Sequence, residues 1–152
     1  MLKYRKSIVI LSLLFALLVS CSDIPSEYKG FFRLSPSQQE KVILEYPFEQ
    51  QIDLMIIGWT IPHPPYMFYR QVAKNGEPIV PLLFHRLSVL KKKFDLQPVA
   101  LCLFHINDKY FSWKEHQEYI KIFEQTLSRI PDPSVREEVI RMVETGKPYP
   151  QK

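Results

Sequence analysis

The chain has 152 residues with 46% hydrophobic side chains, and only four glycines and two cysteines. Four glycines leave no glycine-rich loop to cradle a phosphate. Lys and Arg number 20 against 16 Asp and Glu, but beyond the first 20 residues the balance is 17 to 16. That is too even for the phosphate neutralisation on which nucleic-acid binding rests, so no nucleic-acid partner is expected.

Lys3, Arg5 and Lys6 form a positive N-terminal patch, and residues 7–19 follow without a charge. A spanning helix needs roughly 20 apolar residues, whereas a signal-peptide core needs roughly 7–15. The next motif, Leu18-Val19-Ser20-Cys21, resembles the lipobox of bacterial lipoproteins. The resemblance implies cleavage before Cys21, a thioether from its sulfur to a diacylglycerol, and acylation of the new amino terminus. Two or more acyl chains hold a protein stably on a membrane. Ser22 follows the cysteine and the first acid is Asp23. In a Gram-negative cell the resemblance then implies the outer membrane, facing the periplasm. Segmentation follows: signal peptide 1–20, lipid-anchored tether 21–34, helical domain 35–146 and tail 147–152. With Cys21 committed to lipid, Cys102 has no disulfide partner, and its apolar run reads as a buried thiol.

Residues 22–34 are polar, broken by Pro25 and Gly30, and read as a tether. Ser35-Pro36-Ser37-Gln38 is a helix start, with Val42, Ile43 and Tyr46 as its apolar stripe and Pro47 as its end. Phe48, Ile52, Met55 and Trp59 recur at four, three and four, one face of a second helix. Pro62, Pro64 and Pro65 break the chain. A short helix over 66–74 closes at Asn75-Gly76. Residues 78–90 predict a helix with Ile79, Leu82, Leu83, Leu87 and Leu90 inward. Lys91-Lys92-Lys93 is read as its solvated end, with contact to anionic lipid as the alternative. Residues 99–104 fit a buried strand or a buried helix, and the helical neighbours favour helix. Trp113, His116, Ile120, Phe123, Leu127 and Ile130 then repeat at three and four as one helix. A last helix over 133–145 turns Val135, Val139, Met142 and Val143 inward and stops at Gly146. The sum is an all-α domain of five to seven helices.

The segment from Gly76 to Leu83, with Leu87 after it, resembles the first helix of a HEAT-type repeat. Val99-Ala100-Leu101 is placed like packing residues of the second helix, and Asp132-Pro133-Ser134-Val135-Arg136 is similar to the turn between paired helices. The resemblance implies stacked helix pairs, a fold that binds proteins or peptides. No Val-Arg pair follows the first segment and no clean period emerges.

Catalytic signatures are sparse. His63, His85, His105 and His116 form no His-x-x-x-His pair, and no Gly-x-Ser-x-Gly elbow is present. His116 reads as a core histidine; His85 and His105 would have to share a metal without an evident third ligand. The segment from Trp59 to Tyr69 sets aromatic rings in a proline frame, and Trp59, His63, Tyr66 and Tyr69 are its candidate binding residues. A stiff connector whose rings fill the core is the competing reading. The expected function is a lipid-anchored protein-interaction module without catalysis or cofactor, held to the membrane through Cys21. Alternatives are an immunity or inhibitor lipoprotein against a toxin or cell-wall enzyme, and a metal-dependent hydrolase using His85 or His105.

Overall fold

The computed structural model describes residues 24–61 and 67–147. Cys21, His63 and Tyr66 lie outside them. The described residues up to Ser35 form one compact unit and those from Pro36 onward another. In the first, the stretch read as an irregular tether carries a 3-10 turn, Ser26–Tyr28, and one helical turn, α1 (Lys29–Phe32). Pro25 precedes that turn, and Phe31 and Phe32 meet edge to face at 5.1 Å.

The second unit is all-α. Its helices are α2 (Pro36–Val42), α3 (Phe48–Thr60), α4 (Tyr69–Val72), α5 (Val80–Val89), α6 (Lys93–Lys109), α7 (Gln117–Ser128) and α8 (Pro133–Thr145). Among the described residues there is no strand, and no helix is long and apolar enough to cross a membrane. Sequence punctuation accounts for the boundaries. Pro36 opens α2, Pro47 caps α3, and Asp132 caps α8 by accepting the Ser134 amide at 2.8 Å. Gly76 has φ 65° and ψ −138°, a conformation essentially reserved for glycine, between the 3-10 turns Ala73–Asn75 and Glu77–Ile79.

The ambiguous run at 99–104 is helix. It lies within α6, where every residue from Leu96 to Leu103 is buried, as is Ile106. A helix apolar on all sides belongs at the centre of a core, and α3, α4, α5 and α8 all pack on α6. Each buried Leu, Val or Ile contributes about 1.5–3 kcal/mol. Pro98 removes one backbone bond near the start of α6 and returns a buried ring. Gln51 ties the periphery together: its Nε2 donates to the Tyr46 carbonyl at 2.7 Å, and its Oε1 accepts from Asn75 at 2.7 Å.

Four expectations need correction. The repeat from Trp113 to Ile130 is not one helix. Trp113–Glu115 is a 3-10 turn, His116 is extended, and α7 starts at Gln117. The three-four spacing continues across a break because Trp113 packs as an anchored turn, not as a helical residue. His116 is half-buried at the surface beside Phe111, Tyr119 and Glu118, not a core residue. The lysine run does not close α5. Leu90 and Lys92 are extended, and Lys93 begins α6. Phe48, assigned to the inward face of α3, is exposed, while Gln51, Leu54 and Gly58 are buried there.

Candidate functional site

Of the aromatic residues proposed from the proline segment, the structure brings Trp59 and Tyr69 together in the core. They are 7% and 6% exposed, with ring centroids 6.0 Å apart. The Trp59 indole N–H donates to Gln97 Oε1 at 3.2 Å, and Gln97 Nε2 donates to Glu138 at 3.0 Å. Glu138 also pairs with Lys93. Tyr69 stacks on His105 at 5.2 Å. Burial, reinforced by Lys109 and Arg70 against an opposing Asp108, holds the His105 pKa below its ordinary value. These rings therefore hold α3, α4 and α6 together and offer a partner little surface.

His85 faces α7, sharing a cavity with Ile122, Gln125 and Thr126, so it and His105 have different surroundings. Among the described residues no group of three His, Cys, Asp or Glu side chains is arranged to hold a metal. Cys102 is fully buried, and burial drives its thiol pKa far above the ordinary value. Such a thiol is not a nucleophile at neutral pH.

A different surface emerges from α7. Its apolar residues Ile120, Phe123 and Leu127 are only half-buried, and its single buried residue is Thr126. Ring contacts set this seat. Phe84 of α5 meets Trp113 at 5.3 Å, Tyr119 at 6.3 Å and Phe123 at 5.7 Å. They turn Tyr119 and Thr126 toward α5. Adjacent helix positions differ by roughly 100°, so Ile120 and Leu127 swing away from α5 toward α8. There Ile140 and Val143 complete an open groove of about 330 Å³.

The floor and one end of this groove are fixed. Trp113 is 1% exposed, and its indole donates to the Leu103 carbonyl at 2.9 Å. Lys114 closes the end. Its Nζ donates to the Val143 carbonyl at 2.8 Å, where the helix dipole of α8 favours a cation. Its own amide donates to Asn107 Oδ1 at 3.0 Å. Burial lowers the Lys114 pKa, with Glu144 opposing the shift. Glu124 and Glu144 stand on the lining. The groove continues past Leu127 to Pro133, Arg136 and Glu137. The stretch over Trp113 is lined mainly by apolar side chains, so it can take apolar groups.

The sequence carried the signal for this site in the strong amphipathicity of 117–128. It did not say that the stripe faces a groove, because that depends on the Phe84 contacts of a distant helix. No protein family, curated protein or solved structure matches the chain.

Proposed function

We propose that the chain is a lipid-anchored envelope protein that binds a protein partner without catalysing a reaction, and that the groove between α7 and α8 receives that partner. The observation that carries the binding reading is the groove itself. Ile120, Phe123, Leu127 and Ile140 are half-exposed side by side over a braced Trp113. Scattered apolar residues are ordinary on a surface, whereas a contiguous concave set marks interaction. Alpha7 is 12 residues long, or roughly 18 Å, enough for three turns of an amphipathic helix laid along it. Glu124, Glu137 and Glu144 outnumber Lys114 and Arg136 on the lining, which favours a partner with basic flanks.

The anchoring half of the proposal rests on the sequence of residues 1–21. In this reading Cys21 carries the lipid and the protein faces the periplasm from the outer membrane. Neither a cofactor nor nucleic acid enters it.

Leu127→Asp and Ile140→Asp test the groove. Both residues are part-exposed, and variants that keep the helical circular-dichroism signal are expected to lose a partner that co-purifies with the unaltered chain from envelope extracts. Lys121→Asp, on the exposed face of α7, should retain it. Capture that survives both groove substitutions rules the groove out. For the anchor, Cys21→Ser should abolish lipid labelling. Continued lipid labelling of that variant would contradict the assignment.

A further inference from the structure

The connection from α5 to α6 leaves Val89 and Phe94 50% and 46% exposed, on either side of the lysine run. Behind it lies a cavity of about 420 Å³ walled by Leu90, Leu96 and Ile130, with Lys91 and Arg129 on its lining. Lys93 is taken by Glu138, and Lys92 lies in the field of Asp95. Lys91 and Arg129 have no acidic partner among the described residues. The acid on the cavity wall, Asp132, is engaged by the Ser134 amide.

Exposed apolar side chains interleaved with unpaired cations suit some surfaces better than others. Phenylalanine and arginine are common at protein–protein interfaces but lysine is depleted there, so the lysine run is what argues against a protein partner. The near-even charge of the chain beyond residue 20 offers little to a nucleic acid. At an anionic bilayer both features gain: apolar side chains enter the acyl boundary, lysine stems reach out to headgroups, and each cation adds attraction.

We propose that this lip docks on an anionic lipid surface, with Lys91 and Arg129 taking lipid phosphates and Val89 and Phe94 entering the boundary with the acyl chains. The docking is independent of any lipid on Cys21. It would fix which face of the domain meets the membrane.

Residues 7–19 are apolar and can bring the chain to any vesicle, so the test reads a local signal. The full chain carrying Phe94→Trp is mixed with brominated vesicles, one set of phosphatidylglycerol and phosphatidylcholine, the other of phosphatidylcholine alone. Trp59 and Trp113 are buried, so quenching beyond that of the unsubstituted chain reports the introduced indole. Quenching several-fold stronger on the anionic vesicles is expected, and Lys91→Gln with Arg129→Gln should remove the difference. Phe94 lies 6.2 Å from Trp59, so Val89→Trp supplies a second reading beyond the lysines. Indoles at both positions that stay unquenched on anionic vesicles would overturn the proposal and leave the lip to a protein partner. Quenching indifferent to the two charge changes would overturn it as well. Failure of lipid labelling at Cys21 would defeat the anchor assignment and leave this result untouched.

Discussion

Gln97→Leu is expected to destabilise the domain by about 2 kcal/mol, through a hydrogen-bond chain that crosses three helices. Gln97 is 3% exposed on α6, accepting from Trp59 of α3 and donating to Glu138 of α8. Leucine leaves the buried indole N–H without an acceptor, which costs about 1–3 kcal/mol. It also removes a bond to a carboxylate, about 1.5–3 kcal/mol in general; the loss is smaller here because Glu138 keeps Lys93. Added apolar burial offsets about 1 kcal/mol. Trp59→Phe in the leucine background removes the orphaned donor, so the pair should cost about 1–2 kcal/mol less than the sum of the singles. Urea unfolding followed by circular dichroism, at constant m-value, measures all four members of the cycle. A single Gln97→Leu cost below about 0.5 kcal/mol, or strict additivity, would refute the chain as a structural element. It would also reopen Trp59 as a residue free to serve a binding loop.

Other consequences are accessible to routine measurement. Cys102 should resist a thiol reagent at neutral pH in the folded protein and react fully in denaturant; rapid labelling of the native state would contradict its burial. Gly146 has φ 67°, and a Cβ there would meet the Phe104 ring at 2.5 Å. Gly146→Ala should therefore cost about 1–2 kcal/mol for the left-handed backbone and more for the clash, lowering the thermal midpoint, with Phe104→Leu recovering the clash part. The folded pKa of His105 lies below its ordinary 6.5, so below that value the unfolded chain binds more protons than the folded one. Stability should fall on acidification through 6.5, and His105→Phe should flatten that slope. A His105 resonance titrating above 6.5 would reverse the sign.

Much of the helical order was legible because it depends on local punctuation. Pro36, Pro47, Asp132 and Gly146 stop or start helices by backbone chemistry that neighbours do not alter. Residues 99–104 needed context: their continuous burial comes from α3, α4, α5 and α8 closing around them, which no periodicity encodes. The proline segment left two readings open, a binding loop and a connector whose rings fill the core. Trp59 and Tyr69 follow the second, because Gln97 and His105, distant in sequence, draw them inward. Conversely, the α7 stripe looked like core and borders the open groove, because Phe84 seats the helix on Thr126 and Tyr119 instead. Trp59→Ala would thus test folding more than binding, at about 3–5 kcal/mol for a buried aromatic.

Position-specific photo-crosslinking in producing cells tests the central claim, that the α7–α8 groove is the surface where a partner binds. A photoreactive phenylalanine analogue is placed at Phe123, Leu127 or Ile140, and in parallel at Glu118 and Lys121 on the exposed face of α7. The account predicts one discrete adduct of the same mass from the three groove positions and none from the two controls. No adduct from the groove, or equal adducts from both faces, would contradict it.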